Sequence, residues 1–128
     1  YTLERVILDQ DPVVKQWIHD TMPDIRYPHI LWLIQRPGTA VVDHWDCDSG
    51  WLTGCVPAEH NPDVKDIVRR VVFVTDWVEG QAWRFEDRLL TEWRAGTCIE
   101  WPWWAKHGTY NQSDSTRINI KIIGERIR

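Results

Sequence analysis

The chain has 128 residues, the size of one domain built around one hydrophobic core. Hydrophobic residues make up 43% and charged residues 27%, so the chain is too apolar to be a disordered tail. Its net charge of −4 excludes the broad positive field of a non-specific nucleic-acid binder, although it leaves room for a local basic groove.

No apolar run approaches the length of a membrane span, and the opening segment YTLERVILDQ has neither the basic nor the apolar region of a secretory leader. The three cysteines, Cys47, Cys55 and Cys98, match no disulfide or zinc framework by their spacing. A reducing compartment is the simplest setting for such cysteines. We therefore expect a single-domain protein over residues 1–128, located in the cytoplasm.

The first predicted element is a helix from Asp11 to Met22. Asp11 can cap this helix, and Pro12 suits its first position. Apolar residues then recur at a spacing of three to four: Val13, Val14, Trp17, Ile18 and Met22. Pro23 ends the helix.

Beyond the helix the chain changes to short segments rich in Val, Ile, Thr and Trp, separated by turn residues such as Gly and Pro. We expect eight strands, near Ile30–Gln35, Thr39–His44, Arg70–Trp77, Ala82–Phe85, Leu89–Trp93, Thr97–Trp101, Trp104–Tyr110 and Arg117–Ile123. A long polar and irregular loop, from about Cys47 to Asp66, interrupts them. Loops of that length in a compact domain are usually functional or disordered.

Eight short strands behind one helix favour an all-β fold. The best match is a double-stranded β-helix, the cupin-like jelly roll, with the N-terminal helix packed on one sheet. The pattern by itself is nearly as compatible with an immunoglobulin-like sandwich or an up-and-down barrel. The polar residues have to decide among these folds.

Two polar side chains stand at the end of the second predicted strand. His44 and Asp46 are separated by Trp45, so the alternation of a strand places both on the same side. One imidazole and one carboxylate are two thirds of the facial triad of non-haem iron(II) oxygenases. The tripeptide alone is just as typical of a solvated strand end.

A second polar group lies near the end of the chain. His107 comes 63 residues after His44, and Arg117 follows ten residues later. In the last strand Arg117, Asn119 and Lys121 share one face and isoleucines occupy the other, which favours an anionic ligand beside His107. A half-exposed edge strand with its polar face in water would show the same alternation.

The pattern His-x-Asp, then strands, then His-x9-Arg resembles the 2-oxoglutarate- and iron(II)-dependent dioxygenase superfamily. The nearest likeness is to small phage and marine microbial oxygenases, which are distantly similar to the aspartyl/asparaginyl β-hydroxylases and proline hydroxylases. The resemblance runs from about Pro28 to Gly124. Its other carriers are the segments RVVFVTDW at 70–77, EG at 79–80, WRAG at 93–96 and HGTYN at 107–111.

The resemblance implies that His44, Asp46 and His107 are the catalytic residues that bind iron(II), and that Arg117 pairs with the far carboxylate of the co-substrate 2-oxoglutarate. The family often has Ser or Thr two residues after this Arg, where this chain has Asn119. The Asn amide can still donate a hydrogen bond to the co-substrate.

The implied reaction is the hydroxylation of an unidentified small molecule or side chain by O2, with decarboxylation of 2-oxoglutarate to succinate. Three protein ligands on one face of a six-coordinate ion leave three positions, two for the 2-oxo acid and one for O2.

The other histidines, Cys47 and the tryptophans receive plainer interpretations. We expect His19, His29 and His60 to be structural or solvated, because none has a partner at a sensible spacing. Cys47 is interpreted as a small residue near the pocket. At least one tryptophan of the segment 101–104 is as well suited to lining the substrate pocket as to filling the core.

Two other classes of function stay open at the level of sequence. A cupin-type jelly roll could bind zinc, another divalent ion or another ligand without oxygenase turnover, and it would have no use for Arg117. A non-catalytic structural or interaction domain would make the alignment of His44, Asp46, His107 and Arg117 a coincidence.

Overall fold

The computed structural model describes residues 3–128, which form nine strands, two α-helices and one 3-10 turn. The strands are β1 Leu3–Ile7, β2 Ile25–Gln35, β3 Thr39–His44, β4 Ile67–Phe73, β5 Gln81–Phe85, β6 Arg88–Leu90, β7 Cys98–Trp101, β8 His107–Asn111 and β9 Arg117–Arg126. The helices are α1 Pro12–Thr21 and α2 Ser49–Gly54, and the 3-10 turn is Val64–Asp66.

The strands form two antiparallel sheets. Five strands follow the order β1-β2-β9-β4-β7, and four follow the order β3-β8-β5-β6. Side chains of both sheets meet in one buried aromatic cluster, which includes Phe73 and Trp101 from the first sheet and Trp83 from the second. The two sheets therefore enclose a common interior, as the predicted jelly roll requires.

Helix α1 lies on the other side of the five-stranded sheet. The Asp11 side chain accepts hydrogen bonds from the backbone N–H groups of Val13 and Val14, both at 3.0 Å, and so caps the helix as predicted. Ile18 and Met22 belong to a buried cluster with residues of β2, β4 and β9. Within residues 3–128, neither helix has the length and apolar character needed to cross a lipid bilayer.

This position of α1 decides which face of β9 points inward. Strand β9 lies between β2 and β4, so it is a central strand and not a half-exposed edge. Ile122 packs in the cluster beneath α1, with Ile120 against it. Arg117 and Asn119 point to the opposite side and are buried. The polar face of β9 therefore faces the interior between the sheets.

The predicted strand boundaries are wrong at the start of the chain. Strand β1 is not predicted, because it is an edge strand with mostly exposed side chains and lacks an apolar face. Strand β2 begins at Ile25 and not near Ile30. The register of its pairing with β9 shifts between Arg26 and His29, a stretch that contains Pro28, which has no N–H to donate.

The segment 47–66 is not the irregular loop that the sequence predicts, because it contains α2 and the 3-10 turn. Trp51 of α2 is fully buried, and its indole N–H donates to the backbone oxygen of Tyr27 at 2.7 Å. Trp51 is the one buried residue of α2, so this short helix shows no apolar periodicity in the sequence. The segment is held against β2 and lies directly after Asp46.

Candidate metal and anion site

His44 and His107 lie next to each other because their strands pair. His44 ends β3, His107 begins β8, and the two are partners in the antiparallel register. Their ring centroids are 4.6 Å apart. Gly108 permits this approach, since a Cβ at that position would lie 2.5 Å from Asp43 Oδ1 and 2.7 Å from the Val41 oxygen. The residue after His107 must therefore be glycine for β3 and β8 to come this close.

The structure brings His44, Asp46 and His107 together. One ligand atom from each lies within 4.8 Å of the others. Asp46 Oδ1 is 3.1 Å from His107 Nε2 and 3.9 Å from His44 Nε2. The two Nε2 atoms and this oxygen thus converge on one point.

The other nitrogen of each ring is held by the backbone. His44 Nδ1 lies 2.8 Å from the oxygen of Val42, and His107 Nδ1 lies 3.1 Å from the oxygen of Ala105. A backbone oxygen can only accept, so each Nδ1 carries the proton. Each Nε2 is then free to bind a metal ion, which is how metal-binding histidines are normally oriented.

The side chain of Asp46 is buried, and its second carboxylate oxygen, Oδ2, is held in place. The Trp101 indole N–H donates to Oδ2 at 3.0 Å, and Arg69 Nε lies 3.2 Å from the same atom. Lys121 Nζ contacts Oδ1 at 2.9 Å. Burial raises the pKa of the Asp46 carboxyl, but its interactions with His107 and with the ammonium of Lys121 outweigh this effect and hold the pKa well below its usual range. Asp46 is therefore a carboxylate in the folded protein.

A cavity of about 540 Å³ opens beside these residues. This volume lies within the range of small-molecule sites. His44, Asp46 and His107 line it together with Cys47, Trp83 and Trp101, and its charged lining is Arg5, Asp46, Arg117 and Lys121. Three basic residues against one acidic residue make the cavity positive, although the chain as a whole has a net charge of −4.

Arg117 lines this cavity and is 1% exposed. Its Nε donates to Gln35 Oε1 at 3.0 Å, Nη2 contacts the same oxygen, and Nη1 contacts Asn119 Oδ1. The guanidinium lies over the Trp83 ring, 5.4 Å from its centroid. These partners are all neutral, and among residues 3–128 no carboxylate pairs with Arg117. Burial lowers the pKa of Arg117 to about 9.

Asn119 does not line the cavity surface. It is fully buried, and its carbonyl oxygen accepts from Arg117. Its amide nitrogen has no hydrogen-bond partner in the described part of the chain. Asn119 thus contacts Arg117, and its direct contact with a co-substrate stays a prediction.

Neither a family model nor a curated protein matches this chain. Solved structures do resemble it. The cupin domain of an XRE-family transcriptional regulator from Enterobacter cloacae has a TM-score of 0.59 at 9% identity, over 99% of this chain and 100% of that one. KdgF from a Halomonas species has a TM-score of 0.58 at 10% identity, over 98% and 81% of the two chains. This chain has the cupin fold.

A third cupin neighbour is a predicted oxalate decarboxylase from Thermotoga maritima, with a TM-score of 0.58 at 11% identity over 96% of this chain and 80% of that chain. Likeness at this level of identity concerns the fold. One fold carries many activities, and these neighbours include both a regulator domain and a predicted enzyme. The double-stranded β-helix prediction is thus confirmed, whereas the reaction must be argued from the site.

Three residues that contact Asp46 are not among the site residues predicted from the sequence. Arg69 precedes the predicted start of its strand, and nothing in the sequence marks it as buried. Trp101 was one of several candidate lining residues, and it alone of the segment 101–104 lines the cavity. The alternation of β9 places Lys121 on the polar face but does not predict its contact with Asp46.

His19, His29 and His60 are predicted to be structural or solvated because no partner stands at a sensible spacing, and the structure shows that two of them, His29 and His60, do have carboxylate partners. His19 is exposed on α1, where its Nδ1 lies 3.5 Å from Oδ1 of the neighbouring Asp20. His60 Nε2 lies 2.9 Å from both carboxylate oxygens of Glu125. His29 Nδ1 lies 2.7 Å from Asp9 Oδ2. The partners of His29 and His60 are far away in the sequence, so local sequence patterns cannot predict these contacts.

Proposed function

We propose that this protein is a cupin-type metalloprotein in which His44, Asp46 and His107 bind a divalent metal ion and the adjoining cavity binds an organic anion. Two imidazoles and one carboxylate on one face form the donor set of non-haem iron(II) sites with open positions, so iron(II) is the proposed ion. Manganese and zinc accept the same donors and serve as probes.

One observation carries the metal assignment. His107 Nε2 lies 3.1 Å from Asp46 Oδ1, while His107 Nδ1 is committed to the oxygen of Ala105. In a neutral imidazole both facing atoms would be acceptors, and two acceptors at this distance repel unless a cation or a proton lies between them. A proton would make His107 a further cation beside Lys121 and Arg69. A metal ion satisfies His107, Asp46 and His44 together.

Manganese(II) titration tests this proposal, because electron paramagnetic resonance measures the free ion directly. We expect the wild-type chain to bind manganese, and His44→Ala and His107→Ala to weaken binding on the order of 100-fold or more, beyond the effect of removing an outer partner of a ligand. His19→Ala removes an exposed histidine and is the matched control. Wild-type binding in His107→Ala would refute the proposed site.

A more specific candidate function is that of a 2-oxoglutarate-dependent dioxygenase. The burial of Arg117 in the cavity wall favours it. A buried guanidinium without a carboxylate partner is costly, and the distal carboxylate of a dicarboxylic acid would supply that partner. Bound iron(II) would supply the activation of O2. The chain itself would orient the oxo acid through Arg117 and exclude water with Trp83 and Trp101.

Anaerobic addition of 2-oxoglutarate to the iron(II)-loaded protein tests the finer candidate without any knowledge of the substrate. A chelating oxo acid should produce a visible charge-transfer band that succinate does not produce. The band should be absent from the His107→Ala variant. If the chain binds manganese in the titration but its iron(II)-loaded form does not give this band, the protein is a metal-binding cupin of another activity. The dioxygenase assignment would then be rejected.

A further inference from the structure

A second group of metal-ligand side chains lies outside the cavity. Asp9 follows β1, His29 belongs to β2 and Cys55 follows the end of α2. His29 Nδ1 is 2.7 Å from Asp9 Oδ2, and Cys55 Sγ is 3.4 Å from the same oxygen. One ligand atom from each residue lies within 4.8 Å of the others. Three separate segments of the chain thus present a carboxylate, an imidazole and a thiol to one point.

Among the described residues, the carboxylate of this group has no Lys or Arg partner. The Asp9 side chain is 18% exposed and that of His29 is 13% exposed. Asp9 Oδ1 accepts from the backbone N–H of Ile30 at 2.6 Å. Across residues 3–128, the only ion pair of Asp9 is with His29, and no Lys or Arg reaches it. Carboxylates removed from water are normally paired with a cation, so the charge of Asp9 favours the binding of one here.

We propose that Asp9, His29 and Cys55 form a second divalent metal site, suited to zinc and independent of the site at His44. Carboxylate oxygen, imidazole nitrogen and thiolate sulfur are the donors that zinc prefers. Zinc bond lengths of about 2.0–2.3 Å put tetrahedral ligands roughly 3.3–3.7 Å apart. The contact between Cys55 and Asp9 already has this spacing. Zinc binding would lengthen the distance between His29 Nδ1 and Asp9 Oδ2 by about 0.6 Å.

The charges of this site also match a divalent ion. Burial, together with the negative charge of Asp9, raises the pKa of the Cys55 thiol to about 12, so the metal-free thiol is protonated at neutral pH. A metal ion displaces that proton, because only the thiolate is a ligand. The thiolate, the Asp9 carboxylate and a neutral His29 then neutralise the ion. An ion bound here would tie α2, and with it the segment that carries Asp46, to β2.

Cobalt(II) distinguishes this site from the first one. We would titrate the metal-free, reduced 128-residue chain with cobalt(II). The readouts are the near-ultraviolet thiolate-to-cobalt charge-transfer band and the number of protons released. We expect the band in the wild-type chain, with about one proton released from Cys55. Cys55→Ser, a nearly isosteric change, should remove the band and lower the cobalt stoichiometry by one ion per chain. Cys98→Ser is the matched control and should keep both.

The remaining variants separate the two sites. His44→Ala/His107→Ala should keep the thiolate band, because neither residue belongs to the second site. Loss of the band in Cys47→Ser, whose thiol lines the cavity, would assign the thiolate to the first site and overturn the inference. A wild-type chain that binds cobalt without the band would also overturn it while leaving the proposed function intact. Circular dichroism of each variant checks that the fold is preserved.

Discussion

Asp46 and Asp9 both lie beside histidines, but their charges are balanced in different ways. The Asp46 side chain is 2% exposed, pairs with Lys121 and Arg69 and accepts from Trp101. Arg69 also pairs with Asp48. Asp9 is less buried, and its partners among residues 3–128 are a histidine, a thiol and one backbone N–H. The first carboxylate is thus neutralised by the protein, and the second is not.

This difference bears on what each site would do with a divalent ion. Around Asp46 the two carboxylates of residues 46 and 48 already offset the cations of Arg69 and Lys121, so an ion adds positive charge that only an external anion can offset. Arg117, which has no carboxylate partner in the described part of the chain, increases this excess. At Asp9 the thiolate and carboxylate neutralise the ion themselves. The first site is therefore suited to binding a charged ligand, and the second to a structural ion.

The largest expected difference between the two sites is in the free energy of unfolding of the metal-free chain. Asp46→Ala removes a carboxylate partner from the buried Arg69 and the half-buried Lys121, and should lower the free energy of unfolding by about 3–5 kcal/mol. Asp9→Ala should cost only about 1–2 kcal/mol, because it leaves one backbone N–H and a half-buried histidine without an acceptor. Urea unfolding in the presence of a chelator measures both. The exposed Asp20→Ala is the control, and equal losses at the two sites would contradict the comparison.

The next effect concerns Arg117 and the external anion. Arg117→Ala should weaken 2-oxoglutarate binding to the manganese-loaded protein by about 2–5 kcal/mol, since it truncates one member of a buried charge pair. Arg117→Lys should restore only part of the affinity, because an ammonium cannot make two parallel hydrogen bonds to a carboxylate. Calorimetric titration gives both values, with the surface variant Arg36→Ala as control. Undiminished affinity in Arg117→Ala would reject the dicarboxylate assignment.

Lys121 is expected to act against the metal ion at the first site. Its ammonium contacts Asp46 Oδ1, the oxygen that faces both histidines, and must move away when an ion binds. Lys121→Met should therefore raise manganese affinity about tenfold, which corresponds to about 1.4 kcal/mol. Lys15→Met, on α1, is the control for a general change in charge. A decrease in affinity would mean that Lys121 supports the ligand geometry.

The smallest effect is a difference in thiol reactivity between the two regions. A hydrogen bond with Ser49 lowers the pKa of the Cys47 thiol, whereas burial and Asp9 raise that of Cys55 to about 12. The thiolate is the reactive form, so Cys47 should be alkylated by iodoacetamide at neutral pH at least about tenfold faster than Cys55. Mass spectrometry locates the label. Urea-unfolded protein should lose this preference, and faster labelling of Cys55 in the folded chain would contradict the burial argument.

Local geometry allowed part of the first site to be predicted. Asp11 and Pro12 mark the start of α1, and β3 has the predicted bounds Thr39–His44. Alternation puts His44 and Asp46 on one side, and Arg117, Asn119 and Lys121 on one face of β9. Each of these relations depends only on neighbouring residues of one segment, so it can be predicted before the fold is known.

Only the tertiary structure decided which of those faces is inside. An alternating strand has two faces, and the polar face of β9 became the interior one because α1 covers the isoleucines. The contacts of Arg69 and Trp101 with Asp46, and the meeting of Asp9, His29 and Cys55, join residues from distant segments. Such contacts arise from the pairing and packing of whole elements, which no local pattern encodes. The partner of a polar side chain in a distant segment can therefore be identified only in the folded structure.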